Sequence, residues 1–292
     1  MFKRLALIGC GLMGGSFALA ARQAGLVAAV CGYSRSEKSA RRAQKLGIVQ
    51  EVAASPAEAA HQADLVLLAV PVASTRSTLE ALVPGLGPDT LVMDVGSTKA
   101  DVVQAAREAL GPRIGQFVPA HPICGKEVAG IDHADARLYQ GQQVIVTPLA
   151  QNTAQRIDQA RAIWTALGCQ VRTMDPDTHD RALAAISHFP HLMAFAFMGS
   201  LMKQPEGERY LSVAGPGFRD TTRIAAGDPE LWTDVLIANA SEVLAQSRHL
   251  HESLSELERL VQQGDRQALR RYIEAVSRRR SHWQMGRESD AP

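Results

Sequence analysis

A doubly wound α/β domain followed by an all-α domain is the architecture expected of this chain, and three observations carry it. A short apolar run, Leu5 to Ile8, leads directly into Gly9-x-Gly11-x-x-Gly14 and then into a helix-forming segment. Further apolar runs of strand length recur between Leu26 and Met174, several of them ending in polar residues. From Asp175 the strand signals stop and long helical patterns take over. The first domain is therefore placed at residues 1–174 and the all-helical second at 175–292. A chain of 292 residues suits two domains, because single cores seldom grow beyond about 250–300 residues.

Strand, glycine turn and helix, in that order, form the context of a Rossmann-type dinucleotide-binding fingerprint. Gly9 permits the tight turn, Gly11 lets the backbone approach a pyrophosphate, and Gly14 lets the helix pack closely on the strand. The phosphates then face the N-terminus of the helix predicted for Leu12 to Ala24, with Leu12 and Met13 in its first turn. Unpaired N–H groups and the helix dipole favour negative charge there. Leu26 to Tyr33 reads as the second strand. Twenty residues beyond Gly14 stands Ser34, where an acidic residue would bind the ribose of NAD. Ser34, Arg35 and Ser36 would instead suit a 2′-phosphate, unless Arg35 is a solvated loop charge. The expected cofactor is NADP or NAD, with NADP slightly favoured.

Lys3 and Arg4 before an apolar run and Cys10 also resemble a lipoprotein-type signal. The run is shorter than the roughly 7–15 residues of an apolar h-region. Glycines at 9, 11, 14 and 15 would also interrupt an inserted helix. No later stretch offers the ~20 consecutive apolar residues of a bilayer span, so a cytoplasmic protein with no membrane partner is expected. A net charge of +1 gives no general attraction to nucleic acid. Four scattered cysteines, with no CxxC and no metal-ligand spacing, predict neither a disulfide framework nor a metal site.

Ser36 to Lys45 reads as a short helix closed by Gly47. Ser55-Pro56-Ala57-Glu58 has the N-cap, the proline and the first-turn carboxylate of a helix start. Asp64 to Val70 is continuously apolar, as in a parallel strand buried on both faces, and Val70 and Pro71 fall where a dinucleotide would pass. Thr90 to Val95, ending in Gly96-Ser97-Thr98-Lys99, repeats the pattern. So does Phe117 to Ala120, ending in His121-Pro122. Gln142 to Thr147 and Cys169 to Met174 are further strands, with a helix from Thr153 to Leu167 between them. Asp177 to Met202 is a long helical pattern in which Pro190 should mark a kink or a join. Glu206 to Thr222 is loop-like, and Pro229 to Gln263 and Asp265 to Arg280 read as two more helices. A helical domain of such long segments closes poorly alone, so a homodimer through it is expected.

Five blocks make the chain resemble the prephenate/arogenate dehydrogenase family of tyrosine biosynthesis. They are Gly9-Cys-Gly-Leu-Met-Gly-Gly-Ser16, Asp94-Val-Gly-Ser-Thr-Lys99, His121-Pro-Ile-Cys-Gly125, Ser187-His-Phe-Pro-His191 and Gly215-Pro-Gly-Phe-Arg-Asp-Thr-Thr-Arg-Ile-Ala225. Asp228-Pro-Glu-Leu-Trp232 also fits. The resemblance implies an NAD(P)-dependent oxidative decarboxylation of prephenate to 4-hydroxyphenylpyruvate, with arogenate as the alternative substrate or accepted alongside it. Hydride leaves C4 of the cyclohexadienyl ring, the C4 hydroxyl loses its proton, and the ring carboxylate departs as CO2.

By the same resemblance His121 is the base for that hydroxyl, a role suited to an imidazole that is neutral near working pH. Ser97 would hydrogen-bond the same hydroxyl, or else cap the following helix. Arg223 would bind a substrate carboxylate through its planar fork, while Arg219 and Asp220 form a gating or structural ion pair. His188 and His191, three apart on a helix, share a face. One of them is expected to touch substrate, His188 slightly preferred. Trp232 would pack near the substrate ring or in the core. Lys126 departs from the family, where threonine or serine is frequent. Turned inward, it would repel the ammonium group of arogenate and so favour prephenate. The β-hydroxyacid dehydrogenases are the rival enzyme class, but their helical-domain catalytic lysine could be matched here only by Lys203, outside any recognisable motif.

Overall fold

Alternation within single strands sets the layers. In β1 (Phe2–Ile8), Leu5 and Leu7 face one side of the sheet and Ala6 and Ile8 the other, all four fully buried. The computed structural model describes residues 2–125 and 128–284. Parallel to β1 run β2 (Val27–Tyr33), β3 (Glu51–Val52), β4 (Leu65–Leu68), β5 (Leu91–Asp94) and β6 (Phe117–Val118), in the order β3-β2-β1-β4-β5-β6. This is the doubly wound order whose switch point lies between β1 and β4, at the carboxyl ends of the strands. The crossovers are α1 (Leu12–Gln23), α2 (Glu37–Lys45), α3 (Pro56–Ala60), α4 (Thr75–Leu82) and α5 (Ala100–Leu110). The stretch that resembles a signal is thus the central strand of the sheet.

The strand expected over Phe117 to Ala120 divides at Pro119. A proline cannot donate to a ladder, and the chain leaves the parallel sheet there. It re-forms as β7 (Ala120–Pro122), which pairs antiparallel with β8 (Gln143–Val146), itself parallel to β9 (Gln170–Thr173). His121 therefore belongs to a separate three-stranded sheet, opposite Ile145. α6 (Ala154–Ala166) ties the two sheets together, its Trp164 meeting Phe17 of α1 edge-on at 5.2 Å.

After Thr173 the described chain is helical: α7 (Pro176–Leu183), α8 (Phe189–Met202), α9 (Gly207–Leu211), α10 (Pro216–Thr222), α11 (Pro229–Ala238), α12 (Ala240–Gln263) and α13 (Arg266–His282). α7 and α8 are joined by a π-helical turn, Ala184–His188, into one run of 27 residues. Pro190 has no N–H for the carbonyl one turn back, and it marks a join, directly after the wider π register. By length and composition the run is apolar enough to cross a membrane, although no stretch of it is uninterruptedly apolar over ~20 residues. It nevertheless carries His179, Asp180 and His188, all buried.

Two further expectations need correction. Glu206 to Thr222 is not a loop: Pro216 starts α10, and the hydroxyls of Thr221 and Thr222 bond to the carbonyls of Gly217 and Phe218. Pro229 to Gln263 is not one helix, because it breaks at Asn239, whose side chain is committed to neighbours described below.

Candidate active site

The glycine turn has the shape of a phosphate cradle. Gly9 has φ +106°, and a Cβ on it would overlap the Ala69 carbonyl; a Cβ on Gly14 would overlap the carbonyl of Gly9. At Gly11 a Cβ would meet nothing within 4 Å, and the N-terminus of α1 has no side-chain cap. Open space in front of uncapped amides fits a pyrophosphate. Leu12 is buried and Met13 half-buried, its carbonyl accepting from the Tyr139 hydroxyl at 2.8 Å. Val70 and the exposed Pro71 follow β4 at the same edge. Beyond β2, Ser34 is half-buried, and the exposed Arg35 guanidinium lies 4.0 Å from Glu230. The hydroxyl of Ser36 caps α2, accepting from the Ser39 amide at 3.3 Å.

Asp94, the last residue of β5, binds the next two pieces together. Its Oδ2 accepts from the Gly96 amide at 2.8 Å and pairs with the fully buried Lys99 ammonium. Its Oδ1 accepts from the Ala120 amide at 3.0 Å. The loop carrying the half-exposed Ser97 is thereby fastened to the strand carrying His121. Ser97 does not cap α5: Lys99 occupies that position, and the amides of Lys99 and Ala100 donate to Asp180 at 2.8 Å each. His121 is buried. Burial, then the neighbouring His179, Lys99 and His188, hold its pKa well below 6.5. Its Nδ1 is 2.9 Å from His179 Nε2, and His179 Nδ1 is 2.7 Å from Asp180 Oδ1.

The two family-motif histidines lie in different surroundings. His188 is 1% exposed, with Nδ1 3.0 Å from the Asn239 amide nitrogen, which also donates to the Asp180 carbonyl at 2.8 Å. Burial brings the His188 pKa down to about 4, and the ring lies against the Ser97 backbone. His191 is half-buried, hydrogen-bonded through Nδ1 to the Ser187 carbonyl and stacked on Trp232 with centroids 3.4 Å apart. Burial and the nearby Arg223 guanidinium lower its pKa. Trp232 is half-buried on α11, which packs on the turn Val72–Ser74 that follows the cofactor-edge residues. Arg223 is exposed in the turn Arg223–Ala226, and Arg219 pairs with Asp220 at 3.0 Å. Lys126 lies outside the described residues.

Two sequence-family models match the chain. Residues 17–173 match the nucleotide-binding domain of prephenate dehydrogenase, and residues 175–275 its dimerization domain. The chain belongs to the prephenate dehydrogenase family. A cyclohexadienyl dehydrogenase of Zymomonas mobilis is 35% identical over 269 residues, covering 91% of each chain. A prephenate dehydrogenase of Bacillus subtilis is 33% identical over 282 residues, 94% of this chain and 75% of the relative. Among solved structures, Aquifex aeolicus prephenate dehydrogenase in complex with hydroxyphenyl propionate and NAD+ superposes with a TM-score of 0.89 at 32% identity, covering 96% of this chain and 98% of that one. Synechocystis arogenate dehydrogenase gives a TM-score of 0.81 at 27% identity, covering 95% and 99%. The chain is an NAD(P)-dependent dehydrogenase acting on a small molecule.

His179, Asp180, Asn239 and Lys99 are the site residues that sequence reasoning missed as a connected group. The available signal was faint: His179 and Asp180 adjoin at a helix start, where charged residues are ordinarily solvated, and only the fold turns them inward.

Proposed function

We propose that this chain oxidises and decarboxylates prephenate to 4-hydroxyphenylpyruvate, in tyrosine biosynthesis. The observation that carries the reading is a buried, neutral imidazole, His121, fastened through Asp94 to the Ser97 loop and close to His188, beside which lie Trp232, His191 and Arg223. His121 accepts the proton of the C4 hydroxyl and Ser97 orients it; Arg223, with His191, holds a substrate carboxylate, and Trp232 covers the ring. A dinucleotide bound at Gly9, Gly11 and Gly14 supplies the hydride acceptor. As CO2 leaves, its bonding pair aromatises the ring, and the proton held on His121 returns to the phenol oxygen. Between the paired histidines, His191 is the one assigned to substrate, because His188 is buried against Asn239.

NADP+ is proposed to be used at least as well as NAD+, since Ser34 and Arg35 follow β2 where an acidic residue would exclude a 2′-phosphate. Prephenate is preferred over arogenate on the charge of Lys126, an argument from sequence. The helical half, whose family description names dimerization, is proposed to pair with a second copy. Production of NADPH and NADH with prephenate and with arogenate tests the assignment, and turnover of neither substrate would sink it. His121→Asn should lower kcat by about 10²–10⁴ with little change in KM. Arg223→Ala should raise KM for prephenate about 10–100-fold, as expected for loss of a charge-assisted pair.

A further inference from the structure

We propose that Asp180 and His179 are positioning residues that fix the tautomer of His121, leaving its Nε2 as the basic nitrogen. The inference rests on the general-base reading of His121 and adds which atom acts and what selects it.

Asp180 accepts from the Lys99 and Ala100 amides at the N-terminus of α5, 2.8 Å each. Burial opposes its charge, yet the hydrogen bonds from His179 and those amides outweigh it and hold its pKa below the ordinary value. An ionised carboxylate can only accept, so His179 Nδ1, 2.7 Å away, carries a hydrogen. His179 is fully buried, and burial together with the Lys99 ammonium resists a second proton, against the pull of Asp180 and Asp94. A neutral imidazole has one N–H and one lone pair, so His179 Nε2 is an acceptor. That nitrogen is 2.9 Å from His121 Nδ1, which must then carry the hydrogen. His121 is itself kept neutral by burial and by His179, Lys99 and His188. Its one remaining ring nitrogen, Nε2, bears the free lone pair.

A second network fixes the neighbouring ring the other way. The Asn239 amide donates to the Asp180 carbonyl and to His188 Nδ1. His188 is thus held with its hydrogen on Nε2, a buried atom. Two neutral histidines side by side present opposite functions, one a base and one a donor, and Asp180 touches both networks.

Selective ¹⁵N-histidine labelling of the full-length enzyme tests the tautomer directly. Two-bond ¹H–¹⁵N spectra should show His121 protonated at Nδ1 and bare at Nε2; the reverse overturns the proposal. Asp180→Asn lets the side-chain amide donate to His179 and reverse the relay. Its kcat should fall by about 10²–10⁴, with KM for prephenate and for the dinucleotide within about twofold. His179→Gln retains a carbonyl able to accept from His121 Nδ1 and should keep far more activity than His179→Leu. Equal losses in the glutamine and leucine variants, or wild-type rates in both, overturn the relay. If those rates stay at wild type while His121→Asn is slow, the relay fails and the general base survives. A wild-type rate in His121→Asn removes the general-base reading itself.

Discussion

The two halves of the chain treat their apolar surface in opposite ways. In the strand-bearing half, Leu5, Phe17, Leu67, Tyr139 and Trp164 are fully buried, in clusters on the two faces of the sheet. In the helical half the buried cluster is Ala184, Phe189 and Val243, while Ile186, Met202 and Ile237 are each 70% or more exposed. A parallel sheet is covered on both faces by its own crossovers, so the first half closes on itself. Long helices present apolar stripes that one copy leaves uncovered. The proton-handling histidine is therefore mounted on the half with the closed core, and the residues proposed to grip substrate on the half proposed to pair with a second copy.

The sharpest way to break this contrast is in the dry core. Trp164→Ala should lower the stability of the first half by about 3–5 kcal/mol, read from chemical denaturation. An effect below about 1 kcal/mol would mean that half is looser than its burial implies. Acid probes the seam between the halves. His188 has a folded pKa of about 4 against 6.5 when unfolded, so the unfolded chain takes the proton first. The His188 contribution to stability is fully present above pH 6.5, declines by roughly 3 kcal/mol as pH falls towards 4, and is flat below. His188→Asn should flatten that slope in denaturation midpoints measured across the range. The acid limb of kcat/KM should likewise lie well below pH 6.5, because His121 must be neutral to act. On the open side, Ile237→Asp should weaken self-association about tenfold or more in sedimentation equilibrium, in line with burying a charge in an apolar contact, while dinucleotide binding persists. The smallest effect belongs to the cofactor edge. Arg35→Ala should raise KM for NADP+ up to about tenfold and leave NAD+ unaffected, as for one solvent-exposed charge-assisted contact.

Much of the frame was legible in the residues. The continuous apolar runs of β1 and β4, the glycine turn and the helix starts at Ser55 and Pro229 are local, and local chemistry is written in sequence. Distant contacts decide the rest. Pro119 ends one strand, but only the ladder to β8 moves His121 into a second sheet. Asn239 interrupts a helical pattern because its amide serves Asp180 and His188, residues 59 and 51 positions away. Lys126 stays where sequence left it.

By itself the sequence determined the tight glycine turn between the first strand and the first helix, and an apolar run of strand length just before a histidine. Spacing along one strand and one turn is enough for both. Only the tertiary structure decided what stands behind that histidine. Lys99 and Ala100 meet Asp180 across 81 and 80 residues of chain, and hydrogen-bond partners that far apart leave no periodicity to read, because their adjacency exists only once both halves are packed.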